Sequence, residues 1–202
     1  MAEWVRAALL ALITRGGLVA QSSVPMTDSV HFPPVTGRNL NGRTFELPGD
    51  FAGASNVVLI AFKRHQQADV DSWMPHLRPL ADRYPDLRIY ELPTLGRGMR
   101  LMRAFIDGGM SNGIPDSGVR AATITLYIDK SPFRAALGIP DEDRIYVVLV
   151  DRAGRVQWRA EGPYEPEAAA ELERHLGSEA AGGTDRRPGE RFPFNRSQGI
   201  RR

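Results

Sequence analysis

Two runs in the 202-residue chain are apolar at every position, 57–62 (Val57, Val58, Leu59, Ile60, Ala61, Phe62) and 145–150 (Ile145, Tyr146, Val147, Val148, Leu149, Val150). Both are rich in β-branched residues and bounded by polar sequence, the pattern of strands buried on both faces of a sheet. Between them the pattern changes period. From 68 to 84, Val70, Trp73, Met74, Leu77, Leu80, Ala81 and Tyr84 recur at three-to-four spacing, so a helix with one apolar stripe is expected. Pro75 falls inside it and predicts a kink or a late start. Residues 87–92 alternate and predict a second strand. Residues 95–106 predict a second helix, with Met99, Met102 and Phe105 inward and Gly108-Gly109 at its end.

Residues 110–120 read as a loop, 122–128 as a third strand and 131–138 as a short helix, with Ser131 as its cap, Pro132 at its first position and Gly138 closing it. After the strand at 145–150, residues 151–155 form a hairpin turn and 156–160 return antiparallel. A final helix is expected over 166–176. Ahead of the central strand, Asn41-Gly42 between Leu40 and Phe45 marks a small hairpin. The whole predicts an α/β fold: a mixed central sheet flanked by helices, with an N-terminal hairpin and a strand–helix insertion.

Composition narrows the chemistry. The chain has no cysteine, which removes disulfides, thiol nucleophiles and cysteine-bound zinc or iron–sulfur centres. The formal net charge is +2 and the only lysines are Lys63 and Lys130. The stretch 177–202 holds six arginines and three acids, so the body is near neutral and presents no basic face for nucleic acid. This stretch is expected to be a disordered Arg-rich tail. Residues 1–31 form an N-terminal extension. Its apolar run 7–13 is too short to span a bilayer and makes a weak signal core, and Met26 offers an alternative start. The domain is therefore placed at 32–176. The expected location is cytoplasmic or membrane-associated, with export as the alternative if the first 20 residues act as a signal.

The polar turn after 57–62 is the first place to look for function, because ligands in open α/β sheets sit beyond the carboxyl ends of strands. It reads Lys63, Arg64, His65, Gln66, Gln67, Ala68, Asp69. His65, Asp69, Ser72 and His76 fall at i, i+4, i+7 and i+11, one helix face: either a metal site of two imidazoles and a carboxylate or a solvated polar face. Glu91, at the end of the second strand, is a general base if desolvated and otherwise a partner for arginine or a cap. Gly96-Arg97-Gly98 and Gly108-Gly109 lack the spacing of phosphate loops and read as turns. Met99, Met102 and Met110 are core or an adaptable partner surface. Trp158 is core or an exposed anchor.

The order of elements, with Phe32-Pro33, the Leu40-Asn41-Gly42 turn, the run 57–62 and Val148-Leu149-Val150-Asp151 followed by Gly154-Arg155-Val156, resembles the thioredoxin superfamily in its peroxiredoxin-like and cytochrome-maturation branches. The likeness spans 32–176. Redox members keep a reactive cysteine just after the central strand and many keep a proline before the penultimate one. Here the first is absent, Arg144 precedes Ile145, and the nearest proline is Pro140. Thiol exchange needs a thiolate, so redox chemistry is not expected. Ser72-Trp73-Met74-Pro75, Tyr90-Glu91-Leu92, Tyr127-Ile128-Asp129-Lys130 with Phe133, and Val156-Gln157-Trp158 resemble the cysteine-poor family of the mitochondrial ATP synthase assembly factor. That resemblance implies a non-catalytic assembly or chaperone role with a protein partner and no cofactor. The expected contact surface is the former active-site edge: His65, Gln66, Gln67, Asp69, Trp73, Tyr90 and Glu91. The alternative is a non-thiol enzyme or metal protein using His65, Asp69 and Glu91.

Overall fold

The computed structural model describes residues 30–182, so the expectations for the N-terminal extension and for the tail beyond 182 lie outside the described residues. Seven strands form one sheet: β1 (Val35–Asn39), β2 (Thr44–Leu47), β3 (Ser55–Ala61), β4 (Leu87–Gly96), β5 (Ile124–Ile128), β6 (Tyr146–Asp151) and β7 (Val156–Glu161). The helices are α1 (Gln67–Arg83), α2 (Arg103–Gly113), α3 (Ser117–Ala122), α4 (Lys130–Ala136) and α5 (Pro166–Gly182). The strand order is β2-β1-β5-β4-β3-β6-β7. β3, β4 and β5 run parallel, whereas β1, β6 and β7 pair antiparallel with their neighbours. The βαβ unit through α1 followed by the ββ hairpin and α5 is the layout read from the sequence, with β3 in the interior of the sheet.

Period-2 alternation assigns the two faces. Val58 and Ile60 join Phe32, Phe51, Leu92, Leu126, Tyr146 and the α4 residue Phe133 on one side. Val57 and Leu59 join Trp73, Leu77, Leu149, Trp158 and Leu172 on the other, under α1 and α5. Each such aliphatic side chain contributes about 1.5–3 kcal/mol by leaving water. The one polar side chain inside β3, Asn56, is fully paired: it accepts from Gly53 N (2.9 Å) and donates to Gly53 O (3.1 Å) and Val150 O (3.2 Å). Gly42 takes the positive φ (92°) that the β1–β2 turn needs.

α1 runs from Gln67 through Pro75 and Pro79 to Arg83, so the helix does not start late. The stripe Val70, Trp73, Leu77 and Leu80 is buried, and Ser72 Oγ bridges Asp69 O (2.6 Å) and Tyr164 N (2.9 Å), tying α1 to the segment before α5. This packing outweighs the backbone bonds that two prolines forgo. β4 continues four residues past the expected end, because β5 pairs with Thr94, Leu95 and Gly96 after β3 has stopped.

The middle of the chain departs most from expectation. Residues Arg97–Met102 form a 3-10 turn that leads into α2, and α2 passes Gly108-Gly109 to end at Gly113. Met99, Met102 and Phe105 point outward, not into the core. The expected loop at 110–120 contains the last turn of α2 and the short α3, capped by Asp116. Asp129, not Ser131, caps α4, accepting from Ser131 N (3.2 Å). α5 extends to Gly182, past the expected boundary at 176. Trp158 is core, edge-on to Trp73.

Candidate functional site

The turn after β3 is closed by the protein itself. Gln66 is 1% exposed. Its side-chain oxygen accepts from Phe62 N (2.8 Å) and Lys63 N (3.1 Å), and its amide donates to Glu142 O (2.8 Å). The loop between α4 and β6 is thus drawn against the end of β3. Lys63 Nζ pairs with Asp143 Oδ1 at 2.7 Å, and that hydrogen bond raises the lysine above its ordinary value. Glu142 takes Lys130 on one oxygen and Arg134 on the other, the latter at 3.2 Å. Burial works to raise the Glu142 carboxyl, but these two cations prevail and hold it below the ordinary glutamate value. Asp141 is lowered, first by the backbone N–H of Asp143, and it accepts from the Tyr146 hydroxyl (3.1 Å). Burial and this bond raise Tyr146. The end of β3 is thus tied to the 141–143 loop and α4 by ion pairs.

The sequence-predicted surface residues separate. His65 and Gln67 are exposed on this turn and Asp69 is half-buried. Gln66, Trp73 and Tyr90, expected at the contact surface, are buried. Trp73 donates Nε1–H to Gly162 O (3.1 Å) and packs edge-on to Trp158 and Tyr164. The Tyr90 hydroxyl accepts from Ala52 N (3.0 Å) while its ring leans on Phe51. Each is an aromatic whose polar tip is satisfied internally. Glu91 is half-buried. Desolvation raises its carboxyl and the Asp71 charge adds to this, while Gln67 and Arg78 act in the opposite direction.

His76 is stacked flat on Tyr164, ring centroids 3.6 Å apart, away from His65. Among the described residues no three His, Asp or Glu side chains converge as metal ligands. The helix periodicity placed His65, Asp69, Ser72 and His76 on one face, but His65 belongs to the preceding 3-10 turn, Arg64–Gln66, which breaks the register.

What sequence reading missed lies one connection further along. α2 buries none of its residues. Met99 is 40%, Leu101 97%, Met102 50% and Phe105 79% exposed, an apolar row open to solvent. On the other side of the same segment, Arg97, Arg100 and Arg103 line a groove of about 600 Å³ with Thr125, Tyr127 and Asp129. Arg103 lies over the Tyr127 ring at 5.6 Å, and Tyr127 donates its hydroxyl to Asp107 (2.8 Å). Burial first, then this carboxylate, raises the Tyr127 phenol. The signal was present as two stripes of spacing three, one of Arg and one of Met, Met and Phe. No helix of the described residues is long and apolar enough to cross a membrane.

No family model matches the chain, and no curated protein matches it. Solved structures do. BsSco, a member of the Sco family of cytochrome c oxidase assembly proteins, aligns with TM-score 0.51 at 11% identity over 74% of this chain and 95% of its own. Yeast Sco1 with copper bound aligns with TM-score 0.52 at 14% identity, over 75% and 95%. The thioredoxin domain of a thiol-disulfide oxidoreductase from Bacteroides vulgatus aligns with TM-score 0.50 at 16% identity, over 74% and 98%. The fold is thioredoxin-like.

Proposed function

We propose that this thioredoxin-like chain is a non-redox polypeptide-binding protein that serves as an assembly factor or chaperone for a membrane complex. The observation that carries the reading is the open apolar row of Met99, Leu101, Met102 and Phe105 on a segment whose helix has no buried residue. Large apolar side chains grouped on a surface mark interaction sites, and methionines give such a surface the ability to adapt to a partner. The absence of cysteine removes the thiol chemistry by which other members of the fold act. The turn that would carry it is occupied by structural ion pairs. Two of the solved structures of this fold are Sco proteins, one of them described by its role in cytochrome c oxidase assembly. The motif resemblance to the ATP synthase assembly factor family points to the same kind of task, with a respiratory or ATP-synthesising complex as the client. The contact surface in this reading is the 99–105 row, which replaces the interior Trp73 and Tyr90.

The test is affinity capture from native membranes with the wild-type chain, a Leu101→Asp/Phe105→Asp variant and a His65→Asp variant. The reading expects one membrane complex enriched by wild type and by the His65 variant and lost with the Leu101/Phe105 variant. Retention by the Leu101/Phe105 variant would reject the surface. Equal recovery from all three of unrelated proteins would reject the function.

A further inference from the structure

We propose that the groove beside residues 97–103 binds the carboxylates of an acidic stretch in the partner polypeptide, a proposal that rests on the polypeptide-binding reading and extends it. The 3-10 geometry builds the row. With three residues per turn, positions 97, 100 and 103 stack on one side, so Arg97, Arg100 and Arg103 all face the cavity. Neither Arg97 nor Arg100 has a side-chain partner among the described residues. The groove's one carboxylate, Asp129, is engaged as the cap of α4.

Two polar atoms beside the groove are also buried without a partner: Thr125 Oγ1, on a residue 1% exposed that lines the groove, and Arg103 Nε. Buried polar atoms in folded proteins are nearly always paired, so this wall of the groove is under-satisfied. The ligand chemistry is set by Arg97 and Arg100, which are exposed in the groove, and a carboxylate accepts from a guanidinium in a matching planar fork. The position agrees, since the groove opens at the carboxyl ends of the parallel strands β4 and β5. The same segment carries the apolar row on its outer sides. An extended peptide crossing it would place apolar residues against Met99, Met102 and Phe105 and acidic ones among the arginines. That combination selects a polypeptide over a free anion or a headgroup.

The test is selection of a random peptide display library on the full chain and on an Arg97→Glu/Arg100→Glu variant. Both side chains are exposed, so the variant should keep the wild-type melting temperature. Expected are wild-type binders enriched in Asp and Glu beside apolar residues, whose Kd rises about tenfold or more with the variant, or when their acids become Asn and Gln. Acid-free apolar binders that still require Leu101 would overturn the acidic groove and leave the polypeptide reading standing. An absence of any binder would remove both. Inorganic phosphate or phosphatidylglycerol vesicles binding where no acidic peptide does would assign the groove to another ligand.

Discussion

At the scale of single residues, Gln66 holds the end of β3 together. One side chain satisfies two backbone donors and one acceptor across two segments. Gln66→Ala leaves one buried and two half-buried groups short of a partner, the buried one at about 1–3 kcal/mol and the others at less. A loss of about 2–4 kcal/mol in urea unfolding is expected, and a loss under about 0.5 kcal/mol would mean the turn is held by other means. Glu91 gives a pH-dependent prediction. Its folded pKa lies above the unfolded value, so its contribution to stability is present below the usual glutamate range and is lost as pH rises through the folded pKa. Glu91→Gln should therefore melt higher than wild type at neutral pH, with the gap closing below about pH 4. A gap of constant size across pH would contradict the desolvation account.

At the scale of elements, legibility followed burial. Strands β3 and β6 were readable because residues packed on both faces leave an uninterrupted apolar run, and α1 because Val70, Trp73, Leu77 and Leu80 sit at helical spacing. The 97–113 segment was misread for a physical reason. Met99, Met102 and Phe105 share a spacing with Arg97, Arg100 and Arg103, and spacing alone does not say which row faces the sheet. Arg103 lies over the Tyr127 ring, and the basic row lines the groove. The contrast predicts opposite mutational behaviour. Trp73→Ala should cost about 3–5 kcal/mol, as for other buried aromatics, while Phe105→Ser should stay within about 0.5 kcal/mol in the same denaturant titration. A cost for Phe105→Ser approaching that of Trp73→Ala would place Phe105 in a core.

At the scale of the whole molecule, the proposed reading puts the contact surface away from the turn after β3. At β3, Lys63, Gln66, Lys130 and Arg134 bind the 141–143 loop shut. At the carboxyl ends of β4 and β5, the chain carries groove-lining arginines and exposed apolar side chains. The sequence made the loss of thiol chemistry legible, because an absent residue type needs no structure to interpret. It did not show that Met99, Leu101, Met102 and Phe105 are exposed, because exposure is a property of the packed chain. The most direct measurement is site-specific photo-crosslinking in native membranes, with a photoreactive residue placed at Leu101 in one full-length variant and at His65 in another. The account predicts a discrete adduct with one polypeptide from position 101 and none from position 65. An adduct from position 65 alone would return the contact to the turn after β3 and contradict it.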